Sequence, residues 1–197
     1  MIKKTLNYLA VVGIAMVFIA GCCTPKALES LPVTLHPQET SMWCWAASGQ
    51  MVMDYLGHDV SQCVQANNRF GMTNCCNSPI PGTCVIGGWP EFAKYDFDSQ
   101  HTTNAALTWS QLKTEISNST NCMKRPFCFT WHWNGGGGHM MVAIGYSTVD
   151  GVNMVEINDP WAPNVGDHRI ITYNAYVSGS TYTHWDDYYR ITYKGGM

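Results

Sequence analysis

QETSMWCWAASGQMVMDYLG (Gln38–Gly57) decides how this chain is read. Ser41 is a candidate N-cap, and Met42, Ala46, Met51, Val52 and Tyr55 then recur at helical spacing until Gly57 closes the segment. The pattern predicts a helix with Cys44 in its first turn. Unpaired backbone N–H groups and the positive end of the helix dipole favour an anion there, and the thiolate is the nucleophilic form of cysteine. Trp43 and Trp45 flank the thiol, and Gln38 lies six residues upstream, where its amide can donate to an oxyanion. The competing reading is a small structural cysteine in an amphipathic helix. Its partners downstream decide between the two.

The period changes after Pro126. FCFTWHW (Phe127–Trp133) and HMMVAIGY (His139–Tyr146) are rich in β-formers, and Asn134 with the four glycines 135–138 joins them as a hairpin loop. Val152–Ile157 is a third strand, and His168–Asn174 with Tyr182–Tyr193 reads as a closing pair. Before Pro126, Ser61–Phe70 reads as a helix stopped by Gly71, residues 71–88 as a disulfide-pinned loop, and 91–95 and 108–116 as short helices. Helices first and an antiparallel sheet second is an α+β arrangement. His139 opens its strand at the mouth of the hairpin. Asn158-Asp159-Pro160-Trp161 ends the third strand, where side-chain alternation puts Asp159 on the face of Val155 and Ile157 and Asn158 on the other. Cysteine, histidine, then Asn or Asp is a chain order able to support thiol catalysis. His132, also on the hairpin, alternates with Trp131 and Trp133 and is not read as a second base. His36, His58, His101, His168 and His184 are read as structural.

Gln38 and Cys44 within WCWAAS, the strand HxxVAIGY from His139, and Asp159-Pro160-Trp161 together resemble the papain family of cysteine proteases, in particular its compact bacterial branches: bacteriocin leader-processing peptidases and papain-like effector proteases. Cys84 followed by Gly87-Gly88 and Pro90 is loosely similar to the family's substrate-binding loop. The resemblance implies a papain-like fold, in which an N-terminal helical half carries the nucleophile against a C-terminal antiparallel sheet. It implies acyl transfer without cofactor or metal. Cys44 is the nucleophile, His139 the acid and base, Asp159 the group orienting His139, and Gln38 the oxyanion donor. Gly87, Gly88 and Trp161 are assigned to substrate binding, Trp161 also covering the His139–Asp159 contact. The family's orienting residue stands two before the tryptophan, which again selects Asp159. Alternatives are a cell-wall amidase of the NlpC type and a catalytically silent peptide-binding surface protein.

Export is written at the N-terminus. Lys3-Lys4, the apolar run Leu6–Ala20 and Ile19-Ala20-Gly21-Cys22 resemble a bacterial lipoprotein signal, which implies cleavage before Cys22 and its lipidation. Residues 1–21 are then the signal, 22–35 a tether and 36–197 the protease domain. The expected location is the cell envelope, with the membrane reached only through the lipid. The formal charge of −3 becomes −5 without residues 1–21, which remove two lysines and no acid and leave nine basic against fourteen acidic side chains. No basic patch suits a nucleic acid, and a monomer acting on peptides or proteins is expected. Nine cysteines suit an oxidising compartment. With Cys22, Cys23 and Cys44 set aside, Cys63, Cys75, Cys76, Cys84, Cys122 and Cys128 allow three disulfides in several connectivities, Cys122 and Cys128 being placed to close a small loop. A zinc site competes, but the vicinal Cys75-Cys76 and the lack of a C-x-x-C knuckle argue against it.

Overall fold

The computed structural model describes residues 26–118 and 123–195. A short strand β1 (Glu29–Ser30) leads to helix α1 (Cys44–Tyr55) and helix α2 (Gln62–Phe70). Buried on every side from Trp45 to Met53, α1 is the central helix that an apolar segment without a polar stripe must become. Gln65 of α2 locks the two helices together, its amide donating to the carbonyls of Ala46 at 2.9 Å and Val60 at 2.8 Å. Ser61 precedes α2 and Gly71 ends it in the left-handed region at φ 65°, as expected. The start of α1 differs from expectation. Ser41 does not cap it. The chain turns at Thr40–Trp43 (Trp43 N–H to Thr40 O, 3.4 Å), so the helix begins at Cys44 itself and Met42 is left exposed.

Among the described residues seven strands form one antiparallel sheet. The remaining six are β2 (Phe97–His101), β3 (Phe127–Trp133), β4 (Gly138–Val149), β5 (Val152–Asp159), β6 (Asp167–Thr172) and β7 (Tyr182–Tyr193), with α3 (Trp109–Asn118) between β2 and β3 and α4 (Tyr173–Val177) between β6 and β7. Their order is β2-β7-β3-β4-β5-β6. Helix α1 packs on β3 and β4. The molecule is therefore α+β, helices first and an antiparallel sheet after.

The closing pair is corrected: β6 and β7 are not neighbours, since β3, β4 and β5 lie between them. Helix α4 carries the chain across the sheet, and β7 inserts between β2 and β3, where β3 offered a free edge. Asp187 of β7 anchors that insertion. It is fully buried and accepts from Tyr176 Oη at 2.6 Å and the Leu107 N–H at 2.7 Å. Part of the segment 22–35 expected as a tether is instead built into the sheet and core. Glu29–Ser30 pairs with Tyr146 and Gly145 of β4, beyond the point where β3 begins at Phe127↔Ala143. Leu31 and Val33 are buried.

The disulfides differ as well. Cys63 pairs with Cys76 and Cys75 with Cys84, at sequence separations of 13 and 9, each bond contributing ~2–4 kcal/mol. Cys128 is not in a disulfide. It is a free, fully buried thiol on β3, between Val142 of β4 and Tyr188 of β7, and burial first, then the Asp187 charge, pushes its pKa well up. Cys128 is fully buried in a strand paired on both edges, so it behaves as a small apolar residue. Cys122 and the expected signal segment, residues 1–21, lie outside the described residues. Trp43 Nε1 donates to Cys84 O at 2.8 Å and Trp45 Nε1 to Ile86 O at 3.2 Å, so the two tryptophans beside Cys44 dock the disulfide loop onto the helix. Non-reducing peptide mapping should return Cys63–Cys76 and Cys75–Cys84. Native alkylation should label Cys44 and spare Cys128 until denaturant is added; labelling of Cys128 in the native protein would contradict its place in the core.

Candidate active site

A cleft of ≈ 680 Å³ opens between the N-terminus of α1 and the hairpin end of β3 and β4. Cys44, the first residue of α1, is partly exposed on its floor. His139, the second residue of β4, faces it. Gly138 is glycine for a packing reason: a Cβ there would lie 2.5 Å from Trp131 O and 3.1 Å from the Trp185 ring, so a larger residue would displace the start of the strand that carries His139.

Asp159 is the last residue of β5. Val142 lies opposite Asn158, so Met141 comes level with Asp159 and His139 is its diagonal neighbour on the same face. His139 Nε2 stands 2.6 Å from Asp159 Oδ1, with the side chains 13% and 6% exposed. That leaves Nδ1 for the thiol. Burial alone would lower the His139 pKa, but hydrogen bonds to Asp159 and Cys44, and the charges of both, outweigh it and raise the value to about 9. Burial likewise works against the Asp159 carboxylate, yet the His139 hydrogen bond and charge, the Trp161 N–H and the Arg169 charge bring its pKa below the usual range. The site therefore favours an imidazolium beside the Asp159 carboxylate. Asn158 serves elsewhere. Its amide donates to Val33 O at 3.1 Å, pinning the N-terminal segment to β5.

Gln38 is fully buried and lines the cleft. Its Nε2 donates to Thr40 O at 2.6 Å, leaving a second amide hydrogen available, while Oε1 has no hydrogen-bond partner among the described residues. Its backbone is tied to the loop after β5, N–H to Pro160 O at 3.0 Å and O to the Asn164 N–H at 2.9 Å. Gly87 and Gly88 form part of the opposite wall. A Cβ on Gly88 would fall 2.5 Å from Arg69 Nε and 3.0 Å from the Trp45 ring. Trp161, expected to cover the His139–Asp159 contact, is 52% exposed on the cleft, and it is its backbone N–H that holds Asp159 Oδ1 at 3.0 Å.

Sequence reasoning missed much of the lining. Met42, Arg69, Trp89, Trp131, Trp185 and Arg169 all face this cleft. Arg169 Nη2 bonds Asp159 Oδ2. Only the aromatic content of the β segments hinted at the tryptophans; nothing local marked either arginine. As for metals, the ligand atoms of His36, Asp54 and Asp59 lie within 4.8 Å of one another, but His36 is paired with Asp54 at 3.0 Å, Asp59 accepts from Gln50 at 3.0 Å, and none of them lines the cleft. Replacement of the two candidate orienting residues should separate them. Asp159→Ala is expected to lower turnover on the order of 100-fold or more, within the range of acid–base contributions, while Asn158→Ala keeps most of it and loses thermal stability. A damaging Asn158→Ala with a mild Asp159→Ala would reverse the assignment.

Known proteins can be set beside this geometry. Curated proteins include no match. Among solved structures, one from a study of "limited antibody cross reactivity between the mite allergens Blo t 1 and Der p 1" is similar at a TM-score of 0.49 and 13% identity, over 87% of this chain and 73% of that one. The family described as "Peptidase_C39 like family" matches residues 30–193, from β1 to the end of β7, and so takes in the helix of Cys44 and the strands of His139 and Asp159. The chain belongs to the Peptidase_C39-like family.

Proposed function

We propose that this protein is an exported cysteine peptidase, anchored by lipid at Cys22, that hydrolyses peptide bonds through an acyl-enzyme on Cys44. The observation that carries the reading is the line Cys44–His139–Asp159 at the floor of the cleft, with His139 2.6 Å from Asp159 and its pKa raised to about 9. The Cys44 thiolate attacks the substrate carbonyl, forming the C–S bond while the carbonyl oxygen becomes an oxyanion. Gln38 Nε2 and the backbone N–H of Cys44 stabilise that oxyanion, a single such donor contributing ~3 kcal/mol. The tetrahedral intermediate collapses as His139 passes its proton to the leaving amine. Water, deprotonated by the now neutral His139, attacks the thioester and releases the acid, and the proton returns to the imidazole–thiolate pair. Asp159 holds the ring in register throughout. The walls at Gly87, Gly88 and Trp161 take the peptide.

Two disulfides support an oxidising compartment, and no helix among the described residues is long and apolar enough to cross a membrane. The resemblance of residues 1–22 to a bacterial lipoprotein signal supports residues 1–21 as a leader and Cys22 as the anchor. Metabolic labelling with a fatty acid should mark the wild-type protein in its producing cell and fail to mark Cys22→Ala; equal labelling of both would remove the anchor from the proposal.

An epoxysuccinyl thiol-protease probe should modify Cys44, and Cys44→Ala should abolish both labelling and peptide hydrolysis. Hydrolysis surviving in Cys44→Ala would overturn the reading. The pH profile carries a second check. His139 must be protonated to serve the leaving amine, so the rate should fall as pH rises through about 9. Asp159→Asn removes the anion beside the ring, lowers the His139 pKa and should shift that basic limb to lower pH. An unmoved limb would mean that Asp159 does not govern His139.

A further inference from the structure

Asp159 is held from two sides, and one of them is unused in the mechanism above. On β6 Arg169 lies opposite Ile157, so it is the diagonal neighbour of Asp159, just as His139 is from β4. Each carboxylate oxygen has its own partners. Oδ1 accepts from His139 and the Trp161 N–H, and Oδ2 accepts from Arg169 Nη2. The same Nη2 lies 3.9 Å from Met141 Sδ, so the guanidinium rests on the residue level with Asp159.

Resting on the peptidase reading, we propose that Arg169 is a positioning residue of the catalytic line: by occupying Oδ2 it fixes the Asp159 rotamer so that Oδ1 stays on His139. A carboxylate can turn about its Cβ–Cγ bond, a broad and nearly two-fold torsion. With only Trp161 N–H and His139 as donors, both on one oxygen, the other oxygen would have to be solvated at the back of a buried group. A guanidinium with several donors in a rigid fork fits that place better than an ammonium. Its desolvation is slight, because Arg169 is 42% exposed on the edge strand. The other charged groups near the carboxylate are His139 and Cys44 toward the cleft and Asp167, opposite Asp159 in the register of β6. Asp167 is exposed to water, and Arg169 is paired with Asp159. The role is indirect: Arg169 acts on His139 through Asp159.

The test uses Cys44 alkylation by iodoacetamide in the full-length protein at mildly acidic pH, a readout that needs no peptide substrate. On the peptidase reading Cys44 should react there, because His139 is held as imidazolium beside it. Arg169→Met should slow alkylation about tenfold, equivalent to about one pKa unit in the thiolate–imidazolium pair. Arg169→Lys, which keeps the charge and one donor, should recover part of the loss. Hydrolysis should show kcat reduced with KM little changed. Wild-type reactivity in Arg169→Met would overturn the inference and leave the peptidase reading standing. An unreactive Cys44 in the wild type would instead overturn the reading itself. Failure of both variants to fold would make Arg169 structural and also overturn the inference.

Discussion

The hydrogen bond between His139 Nε2 and Asp159 Oδ1 ties the cleft ends of β4 and β5, and the rest of the site is arranged around it. It needs two adjacent antiparallel strands in a register that makes the two residues diagonal neighbours. It also needs a carboxylate that stays ionised although buried. The strands flanking β5 and the loop after it meet both conditions. The Trp161 N–H and Arg169 supply the compensation that a buried anion requires. The same loop accepts the Gln38 N–H on Pro160 O and donates the Asn164 N–H to Gln38 O. Gln38 and Asp159 are thus mounted on one piece of backbone, and neither can move far without the other.

The opposite wall is held by different physics. The loop 71–88 has few apolar residues of its own and is fixed by two disulfides and two indole hydrogen bonds. Those indoles belong to Trp43 and Trp45, the residues flanking Cys44. Their rings are buried, which contributes most of their stabilisation, while their N–H groups find carbonyls in the loop, as buried indoles must. Cys44, its helix and the wall bearing Gly87 and Gly88 therefore form one unit. The sheet with His139, Asp159 and Arg169 forms the other, and the cleft is the seam between them.

Much of the fold was legible wherever a signal is local. Ser61 and Gly71 bracket α2, and the four glycines mark the β3–β4 hairpin, because caps and turns depend on residues within a few positions. That Asp159 and not Asn158 meets His139 accords with strand alternation, which is a property of the backbone alone. Elements without local signal were misread. β1 fell within the expected tether, and β2 (FDSQH), which carries no β-pattern, was not read as a strand; each is a strand only because a partner edge awaits it.

What the sequence determined by itself is the chemistry on offer: a thiol at a helix start, an imidazole at a strand mouth, a carboxylate at a strand end, and a loop rich in cysteine. Tertiary structure alone decided which cysteines pair, that Cys128 is sealed in the core, and that β7 threads between β2 and β3. It alone placed Arg169 against Asp159. The reason is physical. Disulfide partners and diagonal cross-strand neighbours are set by strand order and register, which arise from the packing of the whole sheet, whereas a cap, a turn or an alternating face is set by covalent geometry within a few residues.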